Sequence, residues 1–464
     1  VPVVKSQVNV DATPQVGSIG LANLYFSDYE IFRDFHLQLD SLFCIVADGE
    51  KRCQDNFKEI EDFLKAMELG CEVLIVGSGI TGLTIARELL KRGVEDILII
   101  EKEKTVGAHA SGRNSGVLHS GIYYTPDTFK ARFCVLGNRL LKEFCREKGL
   151  TLRETGKVIV ASDESKLEGL YELKQRANQS GARAFIIDGK ELSEIEPHAA
   201  TYDKALFSPD TAVINPKEVL RALVEELENS GKVKILYGTA FLGLSGNRTS
   251  VSSQGAISFK KFINASGAHA DKVAYWFGVG REYKILPFKG TYKALKKDRS
   301  YLVRGSIYPV PDLRNPFLGV HFTRSVEDNV YAGPTAIPVF GREDYGFFND
   351  FSLETFSILF RDGVLFFKNE AFRYSAINEF KKYSMRFFFE EAKVLIPELC
   401  PNDLEDTDKV GIRPQLVHWP SKRLVTDFLL IKEEGSLHVL NAISPAFTSS
   451  MAFAKHAVDL FMVK

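Results

Sequence analysis

The chain has 464 residues, 45% hydrophobic and 26% charged, with 59 basic against 60 acidic side chains and a formal net charge of -1. Length sets a prior of about two to four domains, the composition is that of an ordinary globular protein, and the neutral balance gives no electrostatic reason for a nucleic-acid partner. No run of about 18 apolar residues occurs, so no transmembrane helix is expected. Cys44, Cys53, Cys71, Cys134, Cys145 and Cys400 form no C-x-x-C pair and no His/Cys cluster, which points to a reducing cytoplasmic or mitochondrial setting and to no metal site.

Residues 1–70 are an N-terminal extension. The chain opens on Val1 rather than Met, which reads as a processed or incomplete start, and residues 1–20 read as a flexible lead. Residues 29–39 and 54–69 have helical periodicity; Phe57, Ile60, Phe63, Leu64 and Met67 make one apolar stripe, suited to packing on the main body or on a partner.

The stretch 72–101, EVLIVGSGITGLTIARELLKRGVEDILIIE, organises the rest of the chain. Residues 72–76 read as a buried parallel strand and 80–92 as an amphipathic helix stopped at Gly93. Residues 97–100 read as a second buried strand ending at Glu101. Between strand and helix lies Gly77-Ser78-Gly79-Ile80-Thr81-Gly82, a G-x-G-x-x-G. Gly77 permits the tight turn, Gly79 lets backbone approach a pyrophosphate, and Gly82 lets helix and strand pack closely. The helix N-terminus offers N–H groups to phosphate, and Glu101 is placed to accept hydrogen bonds from ribose hydroxyls. Only one such fingerprint is present, since Gly278-Val279-Gly280 lacks the third glycine and a preceding strand; one nucleotide cofactor is expected.

Residues 106–124, VGAHASGRNSGVLHSGIYY, are too polar for a core strand and too rich in glycine for a helix. Helices are expected at 129–148, 165–181 and 216–229, the last opened by Pro216. Strands are expected at 156–161, within 206–215, at 233–237 and at 259–264, the last running into Ala265-Ser266-Gly267. Residues 283–339 alternate short strands with Gly and Pro turns, an antiparallel pattern. Residues 347–396 are mostly helical and rich in phenylalanine, including Phe347, Phe348, Phe351, Phe356, Phe360, Phe366 and Phe367, mixed with Arg361, Lys368, Arg373, Lys381 and Arg386. That mixture suits either a membrane surface or helices covering the site. Strands at 409–417, 424–431 and 437–441 precede a last helix at 448–463.

Taken together, Gly77 to Gly82, Glu101, Ser111-Gly112-Arg113-Asn114-Ser115-Gly116, Asn264 to Gly267 and Gly411-Ile412-Arg413-Pro414 resemble the D-amino-acid oxidase superfamily of FAD enzymes. Within it, SGRNSGVLHSGIYY, IYPVPD, FLGVHFTR, AGPTA and LHVLNAISPA resemble segments of the L-2-hydroxyglutarate dehydrogenase family. The resemblance runs from about residue 73 to near the C-terminus. It implies an α/β (α+β overall) fold, in which a Rossmann-type FAD-binding domain (71–150, 216–282, 405–464) is interleaved with an antiparallel-sheet substrate domain (151–215, 283–404). It also implies FAD contacts at Gly77, Gly79, Gly82, Glu101, Lys102, Ser111, Arg113, Asn114, Ser115, Gly116, Gly267, Pro445 and Thr448, with Arg113 and Asn114 hydrogen-bonding phosphate or ring oxygens.

A flavin 2-hydroxy acid dehydrogenase must hold the flavin, grip a carboxylate and take the hydroxyl proton. His321 and His119 compete for the base; His321 is preferred, with His119 contacting flavin or substrate. Arg413 is the expected carboxylate anchor, because guanidinium meets a planar carboxylate with two hydrogen bonds. A diacid needs a second cation, for which Arg324, Arg304 and Lys289 are open choices, and Tyr123 and Tyr292 can add hydroxyls. The N-terminus of the last helix would stabilise charge on reduced flavin, although Phe447, Met451 and Phe453 are bulkier than the small residues expected there. The expected activity is oxidation of L-2-hydroxyglutarate to 2-oxoglutarate, with electrons passed to a quinone, another acceptor or oxygen. The rivals are an amine or amino-acid oxidase and a non-catalytic flavin-binding scaffold recruited through residues 1–70.

Overall fold

The computed structural model describes residues 69–311, 319–346 and 351–463, all within one compact unit. The helices expected at 29–39 and 54–69 fall outside these residues, except that Leu69 opens a strand. Phe347 and Phe348, Cys44 and Cys53, and parts of IYPVPD and FLGVHFTR also lie outside them.

Val73 to Val76 are wholly apolar and buried, as a strand covered on both faces must be. The strand Leu69–Val76 sits inside a parallel ladder, Val73 pairing with Ile97 on one side and with Lys261 on the other. Val233–Leu236 extends the ladder beyond Ile97–Ile100, and Ser436–Asn441 extends it beyond Gly255–Asn264. Antiparallel Phe241–Leu244, Thr249–Ser252 and Leu429–Glu433 complete an eight-stranded sheet. Helices Ile80–Lys91, Phe129–Glu147, Pro216–Asn229 and Ala446–Met462 bury their apolar stripes on one face, through Leu83, Leu141, Leu223 and Phe453 against Val73, Ile75 and Ile99. Leu74, Leu98 and Phe262 point to the other face, where Val273 of the short helix Ala270–Trp276 meets them.

A second sheet has ten strands. Its spine is the antiparallel pair Tyr283–Leu295 and Leu404–His418, paired from Tyr283 opposite His418 to Leu295 opposite Leu404 with one register shift between Thr291 and Lys293. Lys157–Val160, Phe185–Asp188, Lys204–Ser208, Ser306–Pro309, His321–Arg324, Val330–Gly333, Ile337–Pro338 and Arg423–Leu424 fill the rest. Two features differ from expectation. Lys157–Val160 runs parallel to Ser306–Pro309, so the sheet is not purely antiparallel. The strand expected at 409–417, within the FAD-binding segment 405–464, is Leu404–His418 and pairs along the spine of this second sheet; its acidic start follows the partner strand rather than any local pattern.

The phenylalanine-rich stretch forms Leu353–Lys368, Glu370–Lys381 and Met385–Leu395. It is divided in use. Phe388, Phe389, Ala392 and Leu395 pack on Val158, Ile307 and Phe322 of the sheet, while Phe356, Phe360, Phe367 and Phe380 are 61–77% exposed.

Candidate functional site

The first parallel strand ends at Val76, and the chain turns at Gly77 with φ +104°. A Cβ there would lie 2.6 Å from the Ala265 carbonyl oxygen, and one at Gly82 would lie 2.0 Å from that of Gly77. Neither position admits a side chain. Gly79 is the N-cap of Ile80–Lys91, and a Cβ on it would lie 3.0 Å from the Ser111 hydroxyl, which itself accepts the Ile80 N–H at 2.9 Å. Thr81 and Gly82 supply the next first-turn N–H groups, the donors a pyrophosphate needs. Glu101 ends the second strand; its carboxylate accepts the N–H and hydroxyl of Ser78, both at 2.9 Å, and the Glu103 N–H at 3.0 Å. Those bonds use three of roughly four acceptor positions on a carboxylate, so capacity for a ribose hydroxyl remains. Gly267 (φ +56°) follows a turn shaped by buried Asn264, whose Oδ1 accepts the N–H and hydroxyl of Ser266.

Lys102 bridges Glu103 at 2.7 Å and Glu343 at 2.6 Å. Glu103, His109 and Glu343 hold ligand-type atoms within 4.8 Å of one another, a grouping that no local spacing in the sequence reveals. The Lys102 ammonium sits on both carboxylates and offsets part of their charge.

The glycine-rich loop that comes next uses several of its polar side chains on its own backbone. Arg113 donates from Nε to the Ala108 carbonyl at 2.7 Å, and its guanidinium lies over the Tyr345 ring. Asn114 donates to the Ser111 carbonyl at 2.8 Å and accepts the Gly116 N–H at 2.9 Å, and Ser115 Oγ accepts the Val117 N–H. Arg113 and Asn114 were expected on phosphate or ring oxygens. The Asn114 amide instead closes the loop, because irregular backbone must find its hydrogen bonds locally. A Cβ on Gly116 would meet the Ile214 carbonyl oxygen at 2.4 Å. Thr448, 1% exposed, accepts the His119 N–H at 3.1 Å and donates to the Val117 carbonyl, tying the last helix to this loop. Pro445 is that helix's N-cap and accepts the Ser449 N–H at 2.9 Å. Phe447, Met451 and Phe453 pack into the helical core of the first sheet, so their bulk is taken up there. Ser449 and Ser450 carry buried hydroxyls with no hydrogen-bond partner among the described residues.

Beyond the loop, His119, His321 and Arg413 come together from three distant segments, close enough for Arg413 and Lys157 to depress both imidazoles. Burial is the larger cause: it holds His119 well below the ordinary imidazole range and His321 down at about 3. Both rings are therefore neutral near pH 7. His321 Nδ1 lies 2.9 Å from the Gly319 carbonyl. A carbonyl only accepts, so the proton sits on Nδ1 and Nε2 carries the lone pair. The ring stacks on Tyr308 with centroids 3.9 Å apart. Burial lowers the pKa of Arg413, with Tyr292 and Tyr124 alongside, yet the guanidinium stays charged. Burial likewise pushes the Tyr292 phenol up to about 12.

The open choices for a second cation have other commitments. Arg324 donates to the carbonyls of Val303 and Ser300 and pairs with Asp328. Arg304 is exposed and donates to the Glu194 carbonyl at 3.0 Å. Lys289 donates to the carbonyls of Asp344 and Gly346. Tyr123 is buried, with Lys157 Nζ 4.4 Å from its ring centroid. Lys157 is the residue sequence reasoning missed; its only signal was a charge in the otherwise apolar strand KVIV.

The family model of DAO, FAD dependent oxidoreductase, matches residues 72–460. An L-2-hydroxyglutarate dehydrogenase of Indibacter alkaliphilus is 36% identical, over 82% of this chain and 96% of its own. The mitochondrial L-2-hydroxyglutarate dehydrogenases of Homo sapiens and Caenorhabditis elegans are 32% and 36% identical, over 84% and 83% of this chain and 88% and 91% of theirs. The fold is also that of L-alpha-glycerophosphate oxidase from Mycoplasma pneumoniae with FAD bound, at TM-score 0.66 and 21% identity over 85% of this chain and 95% of that one. L-proline dehydrogenase from P. horikoshii superposes at TM-score 0.65 and 17% identity, over 85% and 94%. The side-chain-free cradle at Gly77 and Gly82, the first-turn N–H groups beside it and the acceptor at Glu101 fit a flavin dinucleotide. The chain belongs to the DAO family of FAD-dependent oxidoreductases, and FAD is its cofactor.

Proposed function

We propose that the protein oxidises L-2-hydroxyglutarate to 2-oxoglutarate. The observation that carries this is a neutral imidazole, His321, with its proton on Nδ1 and its lone pair on Nε2, near enough to the Arg413 guanidinium to feel its charge. Arg413 takes the carboxylate next to the hydroxyl through two parallel hydrogen bonds, which fixes the α-carbon. His321 Nε2 receives the hydroxyl proton. Bound FAD supplies the two-electron acceptor for the hydrogen on the α-carbon. Substrate carboxylates offset the charge of Arg413, which raises the basicity of His321 when the proton has to move. His119, held by Thr448 at the edge of the loop, contacts flavin or substrate. The relatives that carry the dehydrogenase name span most of this chain at 31–36% identity, which supports the substrate.

A quinone is the favoured electron acceptor. Exposed Phe356, Phe360, Phe367 and Phe380 stand on helices that also carry Arg361, Lys368, Arg373 and Lys381, a mixture suited to lying on a membrane surface. No helix among the described residues is long and apolar enough to cross a membrane. Several relatives are named as mitochondrial, which fits the reducing setting expected from the cysteines. The decisive experiment is anaerobic bleaching of the flavin with a panel of 2-hydroxy and 2-amino acids. Bleaching by L-2-hydroxyglutarate supports the proposal. Bleaching by amino acids alone would make the protein an amino-acid oxidase, and flavin that no member of the panel reduces would favour the scaffold.

A further inference from the structure

The strand Lys157–Val160 is buried at all four positions, and its first residue carries an ammonium. Lys157 is 1% exposed, and Nζ has no hydrogen-bond partner among the described residues. Two aromatic rings face it, with Nζ 4.4 Å from the Tyr123 centroid and 4.7 Å from the Tyr308 centroid. Aromatic faces hold a cation without using its N–H groups, so the three donors of this ammonium are unspent. The Tyr123 hydroxyl is a second buried polar atom on this wall without a partner.

Cross-strand register shows which way the wall faces. Lys157 stands opposite Ser208, whose hydroxyl bonds that of Ser120 at 2.6 Å, one residue after His119. Ile307 pairs with Phe322, so the next pair is Tyr308 with His321, whose rings stack. One tyrosine ring therefore contacts both the ammonium and the imidazole. A buried ammonium without a carboxylate is costly and is expected where a ligand completes it. Arg413 accounts for one carboxylate of a diacid. Arg324, Arg304 and Lys289 are committed elsewhere.

We propose that Lys157 binds the distal carboxylate of the substrate and so sets a preference for 2-hydroxy diacids over 2-hydroxy monoacids. This rests on the substrate reading above, with the second anchor now assigned to a named residue.

The test uses the flavin-loaded protein and two pairs of probes. L-2-hydroxyglutarate and L-2-hydroxybutyrate are compared by kcat/KM. Glutarate and butyrate, which cannot be oxidised at a hydroxyl, are compared by perturbation of the flavin spectrum. Lys157→Met should lower the diacid-over-monoacid ratio on the order of 10- to 100-fold in both comparisons, as expected for losing a charged hydrogen-bonding partner. A variant that keeps its flavin and its diacid preference overturns the assignment. If wild-type flavin is bleached by amino acids but by no hydroxy diacid, the substrate reading fails instead, so the two failures are distinct.

Should Lys157→Met not hold flavin, the wild type still decides. The ammonium must be charged to bind, and burial lowers its pKa to about 7. The glutarate-over-butyrate ratio should then fall as pH rises from about 6 to about 9, across the range where this lysine loses its proton. The groups facing it keep one form there. Tyr123 and Tyr308 are pushed up, Cys134 is pushed up to about 12, and His119 and His321 are pushed down. Lys130, at about 8, lies near Arg413 and acts on the carboxylate both ligands share. A ratio that does not change with pH overturns the proposal.

Discussion

Replacing Lys157 by Met should stabilise the substrate-free protein, by an amount that depends on pH. Burial lowers the ammonium from 10.5 to about 7, and at about 1.36 kcal/mol per unit the charged form costs on the order of 5 kcal/mol in the fold. The two tyrosine faces return roughly 1–2 kcal/mol each, so a thioether of similar length should gain on the order of 1–3 kcal/mol. The folded pKa lies below the unfolded one. The cost is therefore full below about pH 7, where both states are charged, and vanishes as pH rises towards 10.5, where both are neutral. Wild-type stability rises with pH across that window, and the advantage of the variant shrinks. Thermal unfolding of the flavin-loaded proteins, scanned at one rate, should show the variant melting roughly 1–4 °C higher at about pH 6.5, with the gap narrowing by about pH 9. A variant no more stable than wild type at the lower pH, or a gap that does not narrow, would mean that the ammonium has a partner and that the cavity wall is built differently.

His321→Asn should lower kcat roughly 100- to 10,000-fold with flavin content unchanged. In the wild type, kcat/KM should stay level on the acid side through the ordinary imidazole range, because burial and then the charges of Lys157 and Arg413 keep His321 neutral down to about 3; an acid limb at about 6.5 would refute this. Gly82→Ala puts a Cβ 2.0 Å from the Gly77 carbonyl oxygen and should yield protein without flavin, checked by the visible absorbance after purification. Asp271→Asn breaks a buried pair in which Arg342 meets both carboxylate oxygens at 2.6 and 3.0 Å. The expected loss is about 3–5 kcal/mol, read from the urea midpoint and slope, and a loss under about 1 kcal/mol would show that the pair is not desolvated as the structure has it.

What could be read in the sequence were the elements whose causes are local. Ile80–Lys91 ends one residue short of the expected helix, and Ile97–Ile100 matches the expected strand, because the apolar spacing, the glycines before and Gly93 after all act within a few residues. Pro216–Asn229 coincides with its expected range, since Asn215 caps two N–H groups and Pro216 occupies the first turn. Gly189–Ile195 was missed although Asp188 and Glu191 form a capping box, for seven residues are too few to display a period. Ala270–Trp276 was missed for the same reason.

The site divides along the same line. The phosphate turn is local: Gly77, Gly79, Gly82 and Glu101 lie within 25 residues of one another and each has a stated task in the turn. The cavity is not. His119, Lys157, His321 and Arg413 sit on a loop and three strands, and their meeting depends on which strand lies beside which. The choice among Arg324, Arg304 and Lys289 could not be made from sequence, because what removes each is a backbone carbonyl contributed by another segment. Lys157 could be noticed only as a charge where alternation fails, in a strand buried on both sides. A structural lysine with a carboxylate beside it would show the same local pattern. The difference between a satisfied core ion and a binding group lies in what the neighbouring strands leave unpaired, and here they leave an ammonium facing two rings.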